Sequence, residues 1–367
     1  MMKNLILLIS SLFASLNAET INVYFGTSGK EAKGIYQGKF NTDNGKLSQI
    51  KLAAEITKPG FLAINSNKTH LYAAGALGEP VVAAYKIESN GDLTFVNSAP
   101  IGDGGSAHIA VHPSDKFLLT AQYGGGSTAV FPIADDGSIQ ERSQLLEHEG
   151  GSKVVPRRQD GPHPHWVGFS PDGNYAFVPD LGLDKIVIYK INGQSLNAHS
   201  TAETIPGGGP RHMRFSVDGK YIYLLNELTL SVTTFAYDTA NGTAKRLTTT
   251  KALSEVVKAK EAFNSSSEIL VHPNGKFVYS ANRGNDSVTV YHAEPDTGFL
   301  RVQEVEPVRG SWPRNINLDP TSNWLLAAGA HSNTISVFSI HQNHGELTFQ
   351  TKNISQVPGC ICILFGK

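Results

Sequence analysis

Leu270 to Arg283 reads LVHPNGKFVYSANR, and Ala110 to Gln122 reads AVHPSDKFLLTAQ. In each, an apolar stretch enters a tight polar turn and a second apolar stretch, rich in Phe, Leu, Val and Tyr, leaves it. That is how two antiparallel strands joined by a short turn are written. The phrase returns as GFSPDGNYAFVPD from Gly168, RFSVDGKYIYLLNE from Arg214 and NLDPTSNWLLAAG from Asn317, with a fainter copy, AINSNKTHLYAAG, from Ala63.

Between these copies runs a second recurring device, a polar residue and a glycine followed by a short strand. It stands at Gly45, Gly91, Gly137, Gly193, Gly242, Gly298 and Gly345, in segments such as NGDLTFV, TGFLRV and HGELTF. Successive separations are 46, 46, 56, 49, 56 and 47 residues. A repeat of this length holding four short strands is a propeller blade. Seven turns therefore predict an all-β, seven-bladed β-propeller of four-stranded antiparallel blades. One such sheet cannot bury both faces alone, so the blades must stack into a ring and the ring must close. NVYFGT from Asn22 and the C-terminal strand around Ile361 to Phe365 are placed to share the closing blade. The stretch from Ser254 to Ala262 reads as a short helical insertion and accounts for one long separation.

The remaining composition bounds the possibilities. The 367 residues carry 31 Lys plus Arg against 32 Asp plus Glu, a balance that favours neither nucleic acid nor an anionic membrane surface as partner. The 36 glycines and 18 prolines are spread along the chain, as many short turns require. Residues 1–18 have the marks of a signal peptide: Lys3, an apolar run from Leu5 to Leu16, and Ala18 as the small residue for cleavage. Leu16 is a less usual residue at its place, so an uncleaved N-terminal anchor is the alternative. Either way, residues 19–367 are expected to form one propeller domain outside the cytoplasm, periplasmic or secreted, with no later membrane span. Cys360 and Cys362 are the only cysteines and fall on one side of a strand. They read as small buried residues, because no His, Asp or Glu nearby completes a metal site.

Repeats also locate function, since equivalent positions of successive blades fall on one ring around the axis. Counting from the turn residues Ser66, Pro113, Pro171, Val217, Pro273 and Pro320, the sixth residue before is Gly60, Ala107, His165, Arg211, Ser267 and Arg314. The tenth after is Ala76, Tyr123, Leu181, Glu227, Arg283 and Ala330. Both columns should lie at the same end of the blades. Against small and apolar members, His165, Arg211, Glu227, Arg283 and Arg314 stand out, and His163, His212, Asn226, Asn282 and Asn315 are within two residues of them. Arginine forks suit a carboxylate or phosphate, and a His or Glu can move protons. His112 and His272, in their VHP turns, read as structural rings bonding turn backbone. The sequence contains no GxSxG elbow, HExxH or calcium loop. GDGGS and YGGGS read as turns, the latter able to shape a pocket wall.

PHPH at His163 and His165, PGGGPRH at Arg211, NEL at Asn226, SANRG at Arg283 and AQYGGGS at Gly125 resemble the signature stretches of the lactonase family of propellers. That family includes 6-phosphogluconolactonase and the fungal enzyme that cyclises carboxymuconate. The likeness covers nearly the whole chain after residue 18. It implies a seven-bladed fold, no cofactor or required metal, and an active site of His165, Arg211, Glu227 and Arg283, the residues the columns isolate. His163, His212, Asn226, Asn282 and Arg314 are then expected to contact substrate, a small-molecule lactone or anionic sugar derivative. Two departures stand out: Gln122 where relatives often carry Asn, and no proline before His108 in GSAHIAVHP. The expected reaction is hydrolysis of a sugar lactone, with Glu227 or His165 as base and Arg211 and Arg283 holding the oxyanion or an anionic end. The alternatives are a muconate cycloisomerase-like ring closure and an exported propeller that binds ligand or protein without catalysis.

Overall fold

The computed structural model describes residues 19–367; the expected signal peptide lies outside them. Seven four-stranded antiparallel sheets form a ring. In chain order, the innermost strands of six blades are Thr57–Ile64, Ser106–Val111, Gly168–Phe169, Pro210–Phe215, Ser265–Val271 and Pro313–Leu318. They are numbered here blades 1 to 6. The seventh blade closes the ring as the sequence implies. Its inner strand is Cys360–Phe365, paired antiparallel with the N-terminal strand Thr20–Thr27, with Val23 opposite Phe365 and Phe25 opposite Ile363. The first and last strands thus lock each other, and no blade interface is left open.

What holds the ring is apolar surface between neighbouring sheets. Seven clusters of buried residues each join two adjacent blades. Between blades 5 and 6, for example, Phe277, Tyr279 and Val290 pack against Leu325 and Phe338. Each such ring or aliphatic chain contributes about 1.5–3 kcal/mol on burial. Cys360 and Cys362 are buried and unbridged, members of two such clusters.

The recurring glycines follow from the same stacking. All seven have positive φ, between 61° and 92°. At Gly345 a Cβ would stand 2.5 Å from the Phe277 ring of the preceding blade, and at Gly298 it would stand 2.5 Å from the Tyr221 ring. Gly298 and Gly345 are needed twice, for the left-handed backbone and for a face bare enough to seat a neighbour's aromatic ring. Tyr24, Tyr72 and Tyr279 then donate their hydroxyls to the carbonyls of Gly91, Gly137 and Gly345 in the following blade.

His112 and His272 sit at this same end of the blades. The ring Nε2 of His112 lies 3.1 Å from the Gly173 carbonyl, and that of His272 lies 3.0 Å from the Ser322 carbonyl. Each bonds the turn of the next blade, the structural use expected of them. Two insertions break the period. One is the single helical turn Glu255–Lys258, capped by Ser254. The other is the loop from 148 to 167, which crosses the opposite end of the ring and reaches the site described next.

Candidate functional site

At the end of the channel away from the glycine turns lies a cavity of about 630 Å³. Eight of its lining residues, Gly60, Ala107, His165, Arg211, Arg314, Tyr123, Glu227 and Arg283, come from the two columns read in the sequence. The first column lies within or just before the inner strand of blades 1 to 6, toward its mouth end. The second follows the next strand, which runs back to the same end, so the two meet around the mouth.

A local irregularity enriches the mouth further. The inner strands slip register between Ser106 and His108, between Pro210 and His212, between Ser266 and Ile269, and between Pro313 and Asn315. A bulge lets two consecutive residues face the same way. Arg211 and His212 therefore both line the cavity, although regular strand alternation would turn one of them away.

Glu227 is the hub. One carboxylate oxygen, Oε1, accepts from Arg158 Nη2 at 2.6 Å. The other, Oε2, accepts from Arg211 Nε at 2.9 Å and lies 3.2 Å from Arg283 Nη2 and 4.0 Å from His165 Nε2. Burial alone would raise its pKa, but the charges of Arg283 and Arg211 and the hydrogen bond from Arg158 outweigh it and hold the group well below the usual carboxylate range. Glu227 is thus an anion whose lone pairs are committed to guanidinium groups.

Each arginine is itself fixed. Arg211 also donates through Nη1 to the Ser267 carbonyl, and burial followed by the repulsion of Arg283 lowers its pKa to about 9, which leaves it cationic at neutral pH. Arg283 donates to the Ser266 carbonyl at 2.7 Å and places its guanidinium 5.4 Å from the centre of the Trp312 ring. Arg314 differs: among the described residues it makes no hydrogen bond or ion pair, yet it lines the cavity and its pKa is lowered by burial and then by Arg283. An arginine without a partner beside a cavity has its donors free to pair with an anion.

His165 is 5% exposed, with no hydrogen-bond partner on Nδ1. Burial, then Arg211 and His212, drive its pKa well below 6.5, so it is a neutral imidazole at pH 7. It packs edge-on against Tyr123 and His212, with ring centres 5.3 Å from each.

Three of the expected contact residues do not face the cavity. Asn226 donates to the hydroxyls of Ser231 and Thr233, and Asn282 makes the same pair of bonds to Ser287 and Thr289. Both asparagines are fully buried and tie their strand to the next strand of the same blade. The repetition of one pattern in two blades marks scaffolding. His163 stacks on Tyr123 at 4.5 Å with Nδ1 2.7 Å from the Tyr123 carbonyl, so it supports the cavity wall from behind. His212 and Arg314, by contrast, do line the cavity.

Sequence reasoning missed Arg158 and Lys58, which line the cavity, and the buried Glu268, whose Oε1 lies 3.0 Å from His212 Nδ1. Arg158 rides on the loop from 148 to 167, outside the repeat, where no column exists to reveal it. That loop is pinned by Gln159, whose amide donates to the Leu181 carbonyl at 2.9 Å and to Asp184 Oδ1 at 2.6 Å. Glu268 follows Ser267, in the column that only the bulge turns inward.

Comparison with known proteins agrees with this architecture. The family described as "Lactonase, 7-bladed beta-propeller" matches residues 22–365. A 6-phosphogluconolactonase of Bacillus subtilis is 35% identical over 93% of this chain and 97% of its own length. A 6-phosphogluconolactonase of Formosa agariphila is 34% identical over 88% of this chain and 92% of its own. Among solved structures, the periplasmic gluconolactonase of Pseudomonas aeruginosa superimposes with a TM-score of 0.87 at 27% identity, covering 95% of this chain and 99% of that one.

Proposed function

This chain belongs to the lactonase family of seven-bladed β-propellers, and we propose that it hydrolyses the ring ester of an anionic sugar lactone, 6-phosphogluconolactone or a related aldonolactone, at the mouth built around Glu227. The observation that carries this reading is the charge of the cavity wall. Lys58, Arg158, Arg211, Arg283 and Arg314 line it against the single carboxylate of Glu227. So large a cationic excess around one carboxylate favours a ligand that brings negative charge and can stabilise an oxyanion as it forms.

Ester opening needs a water made nucleophilic, a cradle for the tetrahedral oxyanion and a proton for the departing ring oxygen. His165 suits the first and last tasks. Its neutral imidazole can take a proton from water as the new C–O bond forms, and an anionic ligand beside it raises its proton affinity. When the intermediate collapses and the C–O bond of the ring breaks, the same proton passes to the leaving alkoxide. Glu227 is the poorer base, since its pKa lies so low. Its task is to hold Arg211, Arg283 and Arg158 in one constellation, with Arg211 and Arg283 facing the oxyanion and Arg314 receiving the ligand's anionic end.

Export fits the signal-like pattern of residues 1–18, and the Pseudomonas aeruginosa relative is named as periplasmic. We therefore place the activity outside the cytoplasm, on lactones reaching that compartment.

The test is pH-stat hydrolysis of glucono-1,5-lactone, its 6-phosphate and a muconolactone, above the spontaneous rate, by the protein and by Arg211→Ala and Glu227→Gln. Turnover of a sugar lactone that falls roughly 10²-fold or more in both variants is the expected result. Absence of turnover on every lactone would refute the assignment.

A further inference from the structure

One residue inward from the mouth, the inner strands present a second ring: Phe61, His108, Trp166, His212, Glu268 and Asn315. The aromatic members gather around His108, whose ring centre lies 4.1 Å from that of Phe61 and 5.4 Å from those of Trp166 and His212. Its charged member is Glu268, 1% exposed. Oε1 of Glu268 lies 3.0 Å from His212 Nδ1, 3.0 Å from Arg214 Nη2 and 3.0 Å from the Ile269 amide. Oε2 accepts from Asn315 Nδ2 at 2.7 Å, and the Asn315 amide is oriented by accepting from the Ile363 N–H through Oδ1.

The other nitrogen of His212, Nε2, stands 3.2 Å from Nη1 of Arg211. A guanidinium has hydrogens to give and no lone pair to offer. Nε2 must therefore carry the lone pair, Nδ1 must carry the proton, and Glu268 receives it. We propose that Glu268 is a positioning residue for lactone opening: it fixes His212 as the Nδ1–H tautomer, whose Nε2 lone pair orients the Arg211 guanidinium toward the reacting carbonyl. This inference rests on the lactonase reading given above. It assigns the Arg211 guanidinium three supports, Glu227 on Nε and the Ser267 carbonyl and His212 on Nη1. A carboxylate that sets a histidine's tautomer so that the far nitrogen can act is a general device. Here the atom presented is an acceptor to another side chain. His212 is also buried among Arg211, Arg214, Arg314 and Arg283, which disfavours its protonated form and so keeps the lone pair available.

A bland alternative is that His212 merely satisfies a buried carboxylate. Glutamine and asparagine separate the two. In a histidine's place, Gln carries its amide near the position of Nε2 and Asn near that of Nδ1. His212→Gln can still offer an oxygen to Arg211, whereas His212→Asn can still donate to Glu268. Positioning predicts that His212→Gln keeps kcat/KM within about tenfold of the wild type while His212→Asn loses roughly 10²-fold. Equal losses, or the reverse ranking, would overturn it. Nitrogen-15 NMR of histidine-labelled protein supplies a readout independent of turnover, with His212 assigned by its loss in either variant. The Nδ1–H tautomer is expected; an Nε2–H tautomer or an imidazolium at pH 7 would contradict the proposal. Should the wild type open no lactone, the functional reading falls, while the tautomer and the ranking of the two variants in calorimetric binding of 6-phosphogluconate still decide whether His212 orients Arg211.

Discussion

The two ends of this propeller are built from the same blades by opposite rules. At the glycine-turn end, the same joints recur in different blades: His112 and His272 each bond the next blade's turn, and Tyr24, Tyr72 and Tyr279 each donate to a glycine carbonyl. At the mouth, equivalent positions hold Gly60, Ala107, His165, Arg211, Ser267 and Arg314, and no two adjacent blades do the same thing. Regularity closes the ring; departure from it makes chemistry. A sevenfold repeat needs identical joints, but one small asymmetric ligand needs a different group on each side.

That contrast can be broken from the scaffold side first. Gly345→Ala puts a methyl group into the Phe277 ring at a backbone conformation of φ 73°. It should cost about 2–4 kcal/mol of stability, read as a lower denaturation midpoint, while kcat of the folded protein stays at the wild-type value. A large loss of kcat in folded protein would mean that the two ends are not independent.

From the mouth side, Arg314→Ala removes a cavity-lining cation that makes no hydrogen bond or ion pair among the described residues. It should raise KM for a phosphorylated lactone by about tenfold with kcat little changed, and alter KM for the uncharged lactone less. An effect on kcat alone would place Arg314 in the chemical step instead of in ligand capture.

The smallest effect is a pH dependence that the buried imidazoles set. His108, His165 and His212 all have pKa values well below 6.5, chiefly through burial, so the unfolded chain binds more protons than the folded one once the pH falls below 6.5. Thermal stability should accordingly hold above pH 6.5 and decline as the pH drops beneath it. By the same shift, kcat/KM should stay level through pH 6.5 and fall only at lower pH, where His165 gains its proton. An acid limb at or above 6.5 would contradict a buried, neutral base.

The sequence made the fold legible because seven glycine turns and six strand pairs recur, and each copy independently reports the same unit. His165, Arg211, Glu227, Arg283 and Arg314 were legible as breaks in those columns. Residues off the columns were not. Arg158 comes from a loop with no counterpart in other blades, and Glu268 becomes a neighbour of His212 only because bulges turn consecutive residues the same way. Asn226 and Asn282 misled for the converse reason. They adjoin the true mouth residues in sequence, but strand alternation points them at the hydroxyls of their own blades.

The most direct test pairs one histidine from each end, His165→Gln and His272→Gln, in measurements of lactone turnover and thermal unfolding. The account predicts that His165→Gln abolishes turnover, by roughly 10²-fold or more, with an unfolding temperature close to the wild type, and that His272→Gln lowers the unfolding temperature while the folded protein turns over normally. Turnover that survives in His165→Gln, or that disappears in folded His272→Gln, would contradict it.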